Sequence, residues 1–202
     1  MNYSSRRQKS QHQTITLLKQ ALIDLILENG TIDNITVSEI AGKADLNRGT
    51  FYTHFKDKNE LLEALFIDAI VGNKQALTEP YKQVRRVALD GVVPSTKLIF
   101  DHIEKNKKLF KALDLINEMP NLYERLESMY RQLFTEDIYI ERANGNSDTD
   151  YEMMVSYESN STLGVIKYWV RGNFKYSADY MCEQLTTFYA YPVTALVFKH
   201  RV

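Results

Sequence analysis

The sequence predicts an all-α protein: an N-terminal three-helix unit carrying a helix-turn-helix, followed by a larger helical domain. Three observations lead there. Breakers are scarce, with 8 Gly and 4 Pro in 202 residues, which suits long helices better than many short strands and turns. Apolar residues recur at three- and four-residue spacing, as in Ile15, Leu18, Leu22, Leu25 and Ile26, the pattern of one helical face. Capping residues stand where short helices should begin, at Thr36, Asn47 and Asp57.

The first helix is predicted over 13–29, stopped by Gly30, with the polar, basic residues 1–11 as a mobile arm. A short second helix starts after Thr36, where Thr36 and Glu39 make a capping box. Asn47 caps a third helix over 48–55, and Asp57 caps a fourth over 58–77, ended by Pro80. Further helices are expected over 95–103 and 107–115. Pro120 suits the first turn of another, over 120–143. A polar loop at 144–150 precedes two long apolar helices, 151–171 and 177–189, and Pro192 should kink or end the last. The expected division is 1–57 for the reading unit and 58–202 for the rest.

Composition narrows the function. With 44% hydrophobic residues the chain can bury a sizeable core. A net charge of −1 excludes a globally basic nucleic-acid coat protein but not a local basic footprint. Residues 1–20 hold four basic residues and no acid, and residues 1–58 carry a net +2. That is the sign expected if only the N-terminal part meets phosphates. Arg6, Arg7 and Lys9 would then lie in a minor groove or along phosphates, unless they are simply a solvated tail. A single cysteine, Cys182, allows no intramolecular disulfide and suits a reducing cytoplasm. There is no apolar leader at the N-terminus and no uninterrupted apolar run of about 18 residues, so neither secretion nor a membrane is expected.

Enzyme signatures are missing. The sequence holds no phosphate-cradling glycine loop, no His-Glu-x-x-His pair and no Gly-x-Ser-x-Gly elbow. His12, His54, His102 and His200 are scattered, so no catalytic centre, metal site or cofactor is expected.

The informative segment is 36–55. Two short helices joined by a tight turn, with Ile40, Ala44, Leu46 and Phe51 where they would pack and a small Ala41, describe a helix-turn-helix. This leaves Asn47, Arg48, Thr50, Thr53 and His54 on the exposed side of the second helix, residue types that read base edges or hold phosphates. Arg48 is the best base reader, because its guanidinium can bond guanine O6 and N7 together. Gly49 would let the backbone approach DNA. Thr36, Tyr52 and Lys58 are candidate phosphate contacts. Gly42, inside the second helix, costs roughly 1 kcal/mol relative to Ala with no evident return.

The run from Thr36 to Ala41, followed by Asn47 to Lys58 and then Asn59-Glu60-Leu61-Leu62, resembles the signature of the TetR family of regulators. With the preceding helix the resemblance covers the first third of the chain, and its Gly-Thr-Phe-Tyr-x-His-Phe-x-x-Lys core is specific. It implies that Tyr52 and the start of the fourth helix at Lys58 grip the backbone, that Asn47 to Thr50 and Thr53 approach the groove, and that Ser38 reaches a base in some members. One departure is Asp45, where many members carry Gly at the turn. Asp tolerates a left-handed backbone, so the turn should survive.

The run 163–170, with Tyr180-Met181 and Gln184-Leu185, is loosely similar to a subtype found in low-GC Gram-positive bacteria. Some of that subtype act beside a dihydroxyacetone-kinase-like partner as co-activators. The family resemblance implies a homodimer on a palindromic double-stranded operator, commonly a repressor released by a small-molecule effector. Phe110, Tyr123, Tyr130, Phe134, Tyr157 and Trp169 are the candidates to line the effector pocket, against a plain core role. Leu163, Gly164, Ile166, Leu185 and Phe188 are the candidates for the dimer interface, against the monomer's own core. The rivals are a co-regulator working mainly through a protein partner and, on the same helices, a small-molecule enzyme.

Overall fold

The computed structural model describes residues 3–87, 93–117, 120–141 and 150–191, and these residues contain helices and turns only. The first helix, α1, is Tyr3–Asn29, so the segment expected to be an arm continues the helix. The reason lies in its composition: Arg, Lys, Gln and Ser with no Gly or Pro give nothing to stop helix propagation. At the other end Gly30 takes φ 73° and donates to the Ile26 carbonyl at 2.8 Å, the left-handed stop its position predicted.

Helix α2, Val37–Lys43, has the full Thr36–Glu39 capping box. Helix α3, Arg48–Tyr52, is capped by Asn47. It is shorter than predicted, because Thr53 closes it with its amide turned onto the Thr50 carbonyl. Between them Asp45 adopts φ 56°, the left-handed conformation that the turn requires. Helix α4, Lys58–Thr78, begins at Asp57, whose carboxylate accepts from the amides of Asn59 and Glu60. Pro80 follows in a single 3-10 turn, Glu79–Tyr81.

The larger unit adds α5, Pro94–Lys105; α6, Lys107–Asp114; α7, Leu122–Gln132; α8, Tyr151–Arg171; and α9, Ala178–Ala190. Helix α7 departs from expectation at both ends. Asn121 caps it through the amides of Tyr123 and Glu124, so Pro120 sits before the cap rather than in the first turn. After Gln132 the chain makes one π turn, Leu133–Asp137, and then extends. The Tyr151 hydroxyl holds it there, donating to the Phe134 carbonyl at 2.8 Å and accepting from the Ile140 amide at 3.0 Å. The predicted end of that helix, most of the polar loop, Pro192 and the final segment lie outside the described residues.

Helix α4 is the spine. It packs against α1 on one side and α5, α6 and α7 on others, burying Leu61, Leu62, Leu65, Phe66 and Ala69. Helix α1 also packs along α6. Trp169 of α8 closes the far side of the core: it meets Phe100 edge-on at 5.4 Å and donates its indole N–H to the Tyr176 carbonyl at 2.8 Å. Burial of these side chains supplies the main drive for folding, at roughly 1.5–3 kcal/mol for each large apolar group.

Two glycines show opposite constraints. A Cβ on Gly42 would meet nothing within 4 Å. A Cβ on Gly72 would lie 2.2 Å from the His102 ring, which is pinned edge-on to Phe110 and beside the Asn106 amide. Gly42→Ala should therefore raise stability by about 0.5–1 kcal/mol through unfolded-state entropy. Gly72→Ala should lower it by about 1–3 kcal/mol through overpacking. Denaturant titration of the two variants against the parent checks both signs.

Candidate nucleic-acid interface

The reading helix is one and a half turns long and cannot stand on its own propensity. Its inner side supplies the anchor. Phe51 is fully buried, Phe55 nearly so, and both belong to the core cluster that includes Ile40, Ala44 and Leu22. The caps fix its start. Asn47 Oδ1 accepts from the Thr50 amide at 2.8 Å and the Thr50 hydroxyl at 3.2 Å. Gly49 makes room for that cap, since a Cβ there would sit 3.1 Å from the same oxygen. Thr53 donates its hydroxyl to the Thr50 carbonyl at 2.7 Å. His54 is half-buried at the helix end, and Ser38 lies exposed on α2.

What remains on the outer side of α3 is chiefly Arg48 and Tyr52, both exposed. They touch each other: Arg48 donates to the Tyr52 hydroxyl at 3.1 Å. A cation in the first turn of a helix opposes the helix dipole, so Arg48 does not earn its place by stabilising α3.

Two of the three candidate phosphate contacts have internal duties. Thr36 spends both donors on Glu39, its amide at 2.8 Å and its hydroxyl at 2.7 Å. These bonds hold the Glu39 carboxyl below its ordinary range, keeping the box ionised and closed. The Lys58 ammonium bonds the carbonyls of Ile32, Asp33 and Ile35 at 2.9, 2.8 and 3.0 Å, one for each of its three N–H donors. In the DNA-free protein these donors are thus engaged within the chain, and a phosphate contact would have to exchange one of them. Nothing local in the sequence signals the Lys58 bonds, because their acceptors lie 23 to 26 residues away.

The aromatic residues proposed for an effector pocket do not converge. Phe110, Tyr130 and Trp169 are core, and the Tyr130 hydroxyl is committed to Asn73 Oδ1 at 2.5 Å. Phe134 packs on Tyr130. Tyr123 is half-buried beneath Lys167, and burial raises its hydroxyl pKa. Tyr157 is 68% exposed. Two hollows lie elsewhere. One, of about 200 Å³, separates Thr31, Ile32 and Asp33 from Leu115, Ile116 and Asn117. The other, of about 60 Å³, lies by Tyr168 and Gly172, and of the six aromatics only Trp169 borders either.

The dimer candidates divide. Leu163, Ile166 and Leu185 face the chain's own core. Gly164 and Phe188 are exposed, and with them Met153, Tyr157 and Tyr168 on α8 and Tyr180 and Tyr191 at the two ends of α9. Their spacing of mostly three, four or seven was visible in the sequence, but an apolar helix with two apolar faces does not announce which one faces outward.

Residues 20–65 match the family model described as bacterial regulatory proteins of the tetR family. Residues 93–190 match a second, described as the transcriptional regulator C-terminal region. The chain belongs to the TetR family of transcriptional regulators. The helix-turn-helix described above is the TetR N-terminal domain. Among relatives, the HTH-type transcriptional regulator YxbF of Bacillus subtilis is 21% identical over 83% of this chain and 42% of its own length. The transposon Tn10 TetC protein of Escherichia coli is 32% identical over 48% of this chain and 51% of its own. The matches thus span about half the length of these two relatives. Among solved structures, a TetR regulator from Streptococcus agalactiae superposes with TM-score 0.59 at 23% identity, covering 91% of this chain and 97% of that one. The dihydroxyacetone kinase operon activator DhaS does so with TM-score 0.59 at 18% identity, covering 86% and 92%. Both show the shared fold.

The Lys58 geometry in this TetR domain makes a definite prediction. Lys58→Met keeps the aliphatic stem and strips three carbonyls of their partner, so stability should fall by about 1–3 kcal/mol. If the Lys58 bonds to the three carbonyls persist on DNA, the slope of DNA affinity against salt should not change, whereas a lost phosphate contact would make it shallower by about one. Thermal denaturation and a salt titration of binding read the two effects separately.

Proposed function

We propose that this TetR protein is a homodimeric, sequence-specific DNA-binding regulator: a repressor that leaves a palindromic operator when a small-molecule effector binds. Residues 1–57 serve as the reading unit, and residues 58–202 as the effector and dimerisation unit. The observation that carries the reading is the outer side of α3, where Arg48 and Tyr52 stand exposed on a helix anchored from beneath by Phe51. Arg48 reads a base, Tyr52 contacts the backbone beside it, and Ser38, Gly49, Thr50, Thr53 and His54 line the approach.

Dimerisation uses the outward stripes of α8 and α9. Met153, Tyr157, Tyr168, Phe188 and Tyr191, each at least 60% exposed, are more apolar surface than two adjacent helices of a monomer normally leave in water. Gly164, exposed between Tyr157 and Tyr168, permits close helix approach. Two copies joined there present two reading helices to successive major grooves, with half-site centres roughly 34–36 Å apart.

The effector acts by population shift and must bind the DNA-incompetent state more tightly. The hollow between the reading unit and the segment that follows α6, at about 200 Å³, is smaller than the roughly 300–1,000 Å³ typical of ligand sites. An effector seated in this hollow would have to widen it, and that cost lowers its apparent affinity.

Selection from a randomised double-stranded DNA pool at moderate salt should enrich one palindrome. Folded, dimeric protein that enriches nothing would shift the reading to a co-regulator acting through a protein partner. Tyr157→Glu combined with Phe188→Glu should yield monomers by sedimentation and weaken operator binding on the order of a hundredfold or more, as the second half-site is lost.

A further inference from the structure

Arg48 and Tyr52 occupy the first and last positions of the five-residue α3, four residues apart and on one face. The contact between them is double. The guanidinium donates to the Tyr52 hydroxyl at 3.1 Å, and its central carbon lies 5.5 Å from the ring centroid. The tyrosine ring is not a loose support, because it packs edge-on against the fully buried Phe51 at 5.6 Å and 84°. A line of contacts therefore runs from the core through Phe51 and the Tyr52 ring to the guanidinium.

We propose that Tyr52 is a specificity-determining residue that positions Arg48 for base readout, in addition to touching the backbone. This rests on the reading that α3 enters the groove with Arg48 as base reader. An exposed arginine has several rotatable bonds, and fixing it on binding costs rotamer entropy. In this chain part of that ordering precedes DNA. The guanidinium has five N–H donors, so one bond to Tyr52 leaves enough to engage guanine O6 and N7 together. The ring's negative face also offsets the unfavourable position of a cation at a helix N-terminus. A tyrosine that only held a phosphate would strengthen all sequences alike. A tyrosine that orients Arg48 strengthens the cognate base pair most.

Tyr52→Phe is the decisive variant. It keeps the ring, its packing on Phe51 and its face toward Arg48, and removes only the hydroxyl acceptor. The experiment measures Kd for the selected operator and for a panel with each base pair replaced in turn. It uses the parent protein, Arg48→Ala, Tyr52→Phe and the double variant, with circular dichroism to verify folding. Arg48→Ala should flatten discrimination at one base pair of each half-site. Tyr52→Phe should reduce discrimination at that same base pair by roughly three- to tenfold, the worth of one ordinary hydrogen bond, since the exposed site weakens the charge assistance. In the Arg48→Ala background it should change discrimination there no further. If Tyr52→Phe weakens cognate and substituted operators by the same factor, Tyr52 is a backbone contact only and the proposal is overturned. If Arg48→Ala flattens no position, the base-reader assignment itself fails, a different result from the first. NMR of the Arg48 side chain in DNA-free protein adds a readout independent of binding. Guanidinium rotation should be slower in the parent than in Tyr52→Phe, and equal rates would also sink the idea.

Discussion

The Lys58 ammonium is the joint on which the two units meet. It stands in the first turn of α4, where a cation is opposed by the helix dipole, and it turns back onto three carbonyls of the α1–α2 connection. Those carbonyls belong to the loop that carries Ile32 and Ile35 into the core of the reading unit. Helix α4 then runs on for 21 residues between α5, α6 and α7. Whatever tilts α4 also moves the reading unit, because three charge-assisted bonds and a continuous apolar seam join them. The ion pairs that cross the same boundary, Lys19–Asp68 and Lys108–Asp24, involve exposed or half-exposed groups. They are worth only about 0–1 kcal/mol each and trim the geometry rather than hold it.

The reading surface is a product of that core rather than a motif laid on top of it. A five-residue helix has no stability of its own, so its outer residues are placed by its inner ones. Phe51 fixes the roll of α3 about its axis. Asn47 fixes its start, and Thr53 its end. The left-handed Asp45 sets the angle at which α2 delivers it. The same economy appears at Gly49, which serves the Asn47 cap within the protein whether or not DNA also comes close there.

What could be read from the sequence follows from how far each determinant reaches. Caps act over three residues, so Thr36, Asn47 and Asp57 marked the starts of α2, α3 and α4 correctly. Helix ends depend on more distant groups. The end of α7 is set by the hydroxyl of Tyr151, a residue on the next helix, and the local pattern predicted a longer helix. In the interface the exposed pair Arg48 and Tyr52 was legible from helical spacing. The internal engagement of Lys58 was not, because its partners come from the loop before α2. On α8 and α9 the apolar content is legible in the sequence, and the direction of each face is not. Leu163, Ile166 and Leu185 face inward, while Tyr157, a candidate for the pocket, faces out.

Charge raises an apparent difficulty, since a chain of net −1 must approach a polyanion. Two features remove it. Screening limits exposed charges to about 8–10 Å at physiological salt, so the −3 carried beyond residue 58 acts weakly on DNA held at α3. Nearer the interface most acids are engaged, the exposed Asp45 of the turn being the exception. Glu39 and Glu60 lie in the first turns of α2 and α4, and Asp57 caps α4, where the partial positive charge of a helix N-terminus offsets a carboxylate. Asp24 and Glu28 pair with Lys108 and Lys43. Arg48, by contrast, bonds a neutral hydroxyl and keeps its full charge pointed outward. Arg48 and the exposed Lys56 both carry positive charge beside α3 with no carboxylate among the described residues paired to them, and the chain's net charge says little about whether that surface attracts phosphates.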